Sequence, residues 1–457
     1  MAVWAPDYNA DERSVKGRAG DVHANKERQG TAFDTDQAMR RLCRLWRLAA
    51  LGLVFLTLPT REVAAYSVLA HEAMVDVSWS DHILPALKQR FPRASSAELD
   101  AARAYAYGGS LIQDLGYYPF GSHFFSNLVH YVRSGDFVEA LIRDARDPDE
   151  YAFALGALAH YSSDNAGHPF AVNLVVPVMY PKLGAKYGPQ MLYADSPARH
   201  VMVEFAFDVM EVGRGRFRSD EYQSLIGFQV AVALLERAFR ETYGLELHEV
   251  LGDADLAIGT FRHAASELVP QVTRAAWKEK RDDILAANPT LAERDVVYSM
   301  TRAQYEQAFG TTYRKPGFLA RFVVAVFKLL PKFGPFKPLA FQPLTPPTER
   351  MFLDSFERAR TQYGEWLTAA RRGRLALRDS DLDTGAAPLP GVNPLADETY
   401  DDLLARVAKG KVVEVTPALR QAINDHYSSR HDGPRAAKRS RRDEKKIARY
   451  LVALNAR

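Results

Sequence analysis

The sequence of 457 residues contains one cysteine, Cys43, and it falls in a segment that reads as a leader. Without that leader the chain has no thiol, which excludes disulfides, thiolate metal sites and a cysteine nucleophile. Alternating apolar and polar runs are scarce, so a large half-buried sheet is not expected. Glycine-rich phosphate loops and internal repeats are absent. The apolar run over residues 48–58 falls short of the ~20 residues a bilayer-spanning helix needs. Charge of one sign is also lacking, with 59 Lys and Arg against 56 Asp and Glu, so total charge points to no particular partner.

What remains is ordinary for a globular protein: 47% hydrophobic and 25% charged residues, enough to bury a core. The length fits one large domain with appendages, or two to three domains. Residues 1–38 are polar and poor in aliphatics, and read as disordered or as a mis-called start. Residues 39–65 have the three parts of a signal peptide in order. Arg40, Arg41, Arg44 and Arg47 are the basic part, 48–58 the apolar part, and Val63-Ala64-Ala65 the small residues before a cut. The implied destination is the periplasm, the envelope or the medium, and Tyr66 becomes the new N-terminus.

Residues 66–310 are rich in Ala, Leu, Glu and Arg, with apolar residues every three or four positions, which predicts an all-α, compact multi-helix domain. Residues 151–160 are apolar nearly all round and predict a central buried helix. Residues 311–380 predict an amphipathic and helical extension, with proline-broken basic and apolar residues over 318–341. Residues 381–457 read as a linker and a partly disordered basic tail, with ten Lys and Arg against three Asp and Glu over 430–457. Both basic segments suit peripheral contact with an anionic membrane. A merely solvated tail is the plain alternative.

Seven of the twelve histidines lie between positions 71 and 200. His160 and Asp164 are four apart and would share a helix face, with His168 just beyond. A buried helix gains nothing from an unpaired carboxylate, and a bound cation removes its cost. Histidine nitrogen and carboxylate oxygen are ordinary zinc ligands. A buried His–Asp hydrogen-bonded pair is the structural alternative. His200 and Glu204 repeat the four-residue spacing, with Asp208 a turn on. Asp114 lies ahead of a loop rich in glycine and aromatics, followed by His123 and His130. His71 stands alone near the new N-terminus.

In this order the clusters resemble the zinc-dependent phospholipase C family. It includes bacterial phosphatidylcholine-hydrolysing phospholipases C, clostridial alpha-toxin and the catalytic domain of glycosylphosphatidylinositol-specific phospholipase D. The fragment AYAYGGSLIQDLGYYP and the gap from His160 to His168 are similar to the last of these. The resemblance covers about 66–210. It implies an all-helical domain with up to three zinc ions. The implied ligands are the Tyr66 terminus, His71, Asp114, His123, His160, Asp164, His168, His200 and Glu204. Asp164 would bridge two ions. His160, Asp114 and His123 would complete one site, and Tyr66 with His71 the other. His168, His200 and Glu204 would hold the third. His130 stands as a substitute for His123, because His123 follows Asp114 more closely than in the bacterial enzymes.

The implied reaction is phosphoric-ester hydrolysis, with a phospholipid head group as the leading substrate. A zinc-bound hydroxide attacks phosphorus, and Asp114 orients or deprotonates the water. Tyr117, Tyr118, Phe120, Phe124 and Phe125 either line a head-group pocket or pack in the core. Two other readings share the residues. One is a single-strand nuclease or nucleotidase on the same trinuclear core, for which nucleic acid is the substrate. The other is a non-catalytic, metal-stabilised envelope protein.

Overall fold

Helix-start signals recur along the chain, and the computed structural model places helices after Ser95, Asp147, Asp253, Thr416 and Ser440. It describes residues 68–118, 120–213, 229–265, 269–287, 341–429, 435 and 440–456. Helix α1 (Val68–Ser78) widens into a π-turn at Trp79–Ile83 and continues as α2 (Leu84–Arg90). Ser95 and Glu98 form a reciprocal cap that opens α3 (Ser96–Leu111), which tightens into a 3-10 turn at Ile112–Tyr117. The chain then forms α4 (His123–Tyr131) and α5 (Ser134–Asp144). Asp147 caps α6 (Pro148–Gly167), with Pro148 pre-set for its first position. A π-turn at His168–Val172 follows, then α7 (Asn173–Met179), α8 (Pro181–Tyr187) and α9 (Pro197–Gly213). Four more helices are α10 (Val232–Tyr243), α11 (Leu247–Leu251), α12 (Ala254–His263) and α13 (Val269–Ala287). The C-terminal part carries α14 (Pro346–Arg371), α15 (Pro394–Ala408), α16 (Pro417–Ser428) and α17 (Arg441–Asn455).

The protein is all-α, as the periodicity predicts, and the described residues contain no strand. One isolated bridge joins Asp381 to Ala386. Helix α6 is the central element, and α3 and α14 pack most extensively against it. Its residues Tyr151 to Asp164 are all buried. That burial explains why this helix is apolar around its whole circumference instead of along one stripe.

Glycine sets how closely α3 and α6 approach. A Cβ on Gly156 would lie 1.9 Å from the carbonyl oxygen of Ala106, and one on Gly109 would lie 1.9 Å from that of Phe153. The obstacles are backbone atoms, which cannot swing aside. Gly156→Ala is therefore expected to cost about 3 kcal/mol or more, the upper end for overpacking. It would also move Ser110 away from His160. A denaturant midpoint unchanged to within ~0.5 kcal/mol would show that the helices separate freely.

The C-terminal helices are tied to this bundle. Tyr363 Oη on α14 donates to the Leu155 carbonyl at 2.8 Å, and Ser162 Oγ donates to the Ala359 carbonyl at 2.8 Å. Phe207 stacks on Phe352 with centroids 4.6 Å apart. Of the basic tail, residues 440–456 include α17, opened by a Ser440–Asp443 cap, and Arg435 pairs with Asp195 at 2.8 Å. The leader (39–65), Tyr66 and residues 318–340 lie outside the described residues. Among the described residues no helix is long and apolar enough to cross a membrane.

Candidate metal centre

Helices α1, α4 and α9 and the 3-10 turn after α3 converge on α6. From α6 itself come His160 and Asp164, and His168 follows at the start of the π-turn. From α1 comes His71, and from α9 come His200 and Glu204. Asp208, one turn beyond Glu204, fixes the start of α1. Its carboxylate accepts from the backbone N–H groups of Leu69 (2.9 Å) and Ala70 (3.1 Å). The 3-10 turn presents Asp114 and is clasped to α4 by Ser126. That hydroxyl donates to the Gln113 carbonyl and accepts from Gly116 N–H at 2.8 Å.

Among the described residues, three groups of buried side chains bring ligand atoms within 4.8 Å of one another. They are His71–His160–Asp164, Asp114–His130–His160 and His168–His200–Asp383. Asp164 Oδ1 lies 3.4 Å from His71 Nε2, while Oδ2 lies 3.0 Å from His160 Nε2 and 3.4 Å from His130 Nε2. His130 Nε2 is 3.5 Å from Asp114 Oδ1, and His168 Nδ1 is 3.6 Å from Asp383 Oδ1. Most of these gaps are long for hydrogen bonds. They match the roughly 3.4 Å edge between two ligands of a tetrahedral ion bonded at about 2.1 Å.

The tautomers agree with that reading. A carbonyl oxygen only accepts, so His160 Nδ1 donates to Ser110 O (3.0 Å) and His130 Nδ1 donates to Ser126 O (2.7 Å). When both imidazoles are neutral, two bare Nε2 lone pairs then face each other at 3.2 Å. Lone pairs at that distance repel unless a proton or a cation joins them. His200 Nε2 donates to Met191 O at 2.9 Å, which leaves Nδ1 bare.

With the cluster's imidazoles neutral, seven of its buried atoms make no hydrogen bond: Asp114 Oδ1, both Asp164 oxygens, His168 Nδ1, His200 Nδ1, Glu204 Oε1 and Asp383 Oδ1. An unsatisfied buried polar atom costs about 1–3 kcal/mol, more when charged. Together these would cost on the order of 10 kcal/mol, comparable with the whole stability of an ordinary domain. Bound cations remove that cost, and the donor set of imidazole and carboxylate suits zinc.

Without a cation, protons must balance the charge. Burial lowers His160, but Asp164 and Asp114 beside it outweigh burial and raise it to about 9. Burial acts to raise Asp164, yet the surrounding histidines hold it well below the usual carboxylate range. Burial pushes Asp114 up to about 7, against the pull of His160 and His130. It pushes Glu204 and Asp383 well up, helped by neighbouring carboxylates. Burial pushes His168 down to about 4 and His200 to about 3, and also depresses His71.

Of the residues expected from the sequence, His71, Asp114, His160, Asp164, His168 and His200 fall in these groups. The histidine brought to Asp114 is His130, while His123 lies edge-on to Tyr117 with centroids 5.5 Å apart. Glu204 is buried beside the cluster but outside the three groups, and Asp383 stands with His168 and His200. The local signal for Asp383 is the alternating run Asp379-x-Asp381-x-Asp383 closed by Gly385, a weak metal-loop pattern inside a stretch that otherwise reads as linker. Of the loop aromatics, Tyr117, Tyr118 and Phe125 are buried, Phe124 lies under Arg406 (4.2 Å), and Phe120 is exposed.

The comparison with protein families matches residues 77–252 to the family described as zinc dependent phospholipase C. That span includes every clustered residue except His71 and Asp383. No curated protein and no solved structure matches the chain.

Proposed function

We propose that this chain, whose residues 77–252 match the zinc dependent phospholipase C family, is an exported phosphodiesterase that cleaves phospholipid head groups at a three-zinc centre. The observation that carries the reading is the set of buried, unbonded ligand atoms spaced at tetrahedral edge lengths. Asp164 would be shared between two ions, one held with His71 and the other with Asp114, His130 and His160, while His168 and His200 would hold the third. The Tyr66 terminus, which lies outside the described residues, remains the further ligand that the resemblance implies beside His71.

Zinc at such sites polarises phosphoryl oxygens and lowers the pKa of a bound water to about 7. The protein's own groups do the rest. Ser110 and Ser126 carbonyls fix the rings of His160 and His130, so that both Nε2 atoms point inward. Asp114, buried beside His130 and His160, would hold the ion and is placed to orient or deprotonate the attacking water. Tyr117 is buried with its hydroxyl unbonded, near His130 and Tyr193, and can donate to a substrate oxygen. Most of the loop aromatics are packed inside, so few are placed to stack on bases, and by the same burial few are placed to line a head-group pocket.

The test is a substrate panel on the zinc-loaded chain: phospholipid vesicles of differing head group, a single-stranded oligonucleotide and nucleoside monophosphates. Release of phosphorylated head group with diacylglycerol, abolished by chelation, is the expected result. Cleavage of the nucleic substrates alone would establish the nuclease reading. A full complement of zinc with no phosphoester cleavage would establish a structural or inactive centre.

A further inference from the structure

We propose that the third metal group is built from two separate parts of the chain, and that a strap over residues 377–386 supplies its carboxylate through Asp383. This rests on the zinc-centre reading above, but it assigns a ligand from outside the matched region. The resemblance places Glu204 there instead.

The strap is fastened across the cluster at several points. Ser380 N–H donates to Ser134 Oγ (3.1 Å), and that hydroxyl donates to the Ser380 carbonyl (2.6 Å). Leu382, fully buried, donates its N–H to the carbonyl of His130 itself at 3.1 Å. Asp381 closes the turn. Its carboxylate accepts from the N–H groups of Asp383 (3.0 Å) and Thr384 (3.1 Å), and Gly385 takes the left-handed conformation at φ 68°.

The turn delivers Asp383 to the far side of His168. Its backbone carbonyl accepts from Asn173 Nδ2 (2.7 Å) and its Oδ2 from Tyr193 N–H (3.0 Å). Oδ1 is left buried and unbonded, 3.6 Å from His168 Nδ1, which is also unbonded. His200 Nδ1 completes a set of three unbonded atoms. Three protein ligands with a fourth position open is the composition of a catalytic rather than a structural zinc site. One oxygen anchored by a backbone amide and the other free is the arrangement of an oriented carboxylate ligand. The strap also binds the backbone of His130, so it links the third group mechanically to the group formed by Asp114, His130 and His160.

The experiment is zinc per chain by elemental analysis for the full chain and for Asp383→Asn and Glu204→Gln, each with a thermal melt before and after chelation. Asparagine keeps the shape and the Tyr193 contact but removes the charge. The expected result is about three zincs for the wild type and for Glu204→Gln, and about two for Asp383→Asn, with a smaller shift in melting temperature on chelation. Three zincs in Asp383→Asn, or loss only in Glu204→Gln, would overturn the assignment while leaving the zinc centre intact. No zinc in the wild type would overturn the centre and this inference together. Should Asp383→Asn not fold, trypsin cleavage at Arg374 and Arg378 of the wild type gives the answer, since both side chains are exposed. Chelation is expected to speed that cleavage about tenfold as the strap is released, and an unchanged rate would overturn the proposal.

Discussion

Asp164→Asn is expected to lower hydrolysis by about a thousandfold or more and to strip metal from the centre. Removing a single preorganised electrostatic group commonly costs about 10²–10³ in rate. Asp164 serves two groups at once. Oδ1 faces His71 at 3.4 Å, and Oδ2 faces His160 and His130 at 3.0 and 3.4 Å. Asparagine has the same size but only one acceptor, and its NH₂ would point at imidazole lone pairs. The substitution therefore tests ligation without emptying volume in the core. Loss of charge also removes the main partner that keeps His160 protonated at neutral pH in the metal-free protein. Zinc content and kcat/KM on the same preparation check it. Activity within tenfold of the wild type, with metal retained, would mean that Asp164 bridges nothing.

Metal affinity is expected to rise steeply with pH. Below about 9 the metal-free protein carries a proton on His160, and that proton must leave when the nitrogen binds an ion. Each displaced proton makes the apparent affinity rise tenfold per pH unit, so the His160 proton alone gives about a hundredfold from pH 7 to 9, and Asp383, pushed well up by burial, adds to the slope. Below about 7, Asp114 is protonated too, and the slope steepens. His168 and His200, held at about 4 and 3, add nothing to the slope near neutrality. Competition titrations against a chelator of known affinity, at pH 6, 7, 8 and 9, give the slope directly. A flat profile over that range would show that no proton occupies the place of the ion.

Much of this site is written in local spacing, because helices turn spacing into direction. His160 and Asp164, and His200 and Glu204, are each four apart, and each pair lies on one face of its helix. His123 and His130 are seven apart on α4 and so share a face, which is why spacing alone does not separate them. Packing does: Ser126, one turn before His130, clasps the 3-10 turn and accepts the ring's Nδ1–H, which turns Nε2 toward Asp114. Asp383 was only faintly legible: the alternating carboxylates Asp379, Asp381 and Asp383 ahead of Gly385 hint at a loop that could hold a cation, but the surrounding prolines and glycines read as linker. Its partners are brought to it by tertiary contacts with Tyr193 and Asn173, which short-range spacing does not encode. The central burial of α6 was legible from its all-round apolar surface. The close approach permitted by Gly109 and Gly156 was not, since a glycine in a helix has the same spacing whether it faces solvent or a neighbouring backbone.

The metal content of the chain, purified at neutral pH without chelator, decides most directly whether the buried cluster is a metal centre. A trinuclear centre gives about three zincs per chain, removable by chelation and restored by zinc. A folded chain that binds no divalent metal at neutral pH would contradict it.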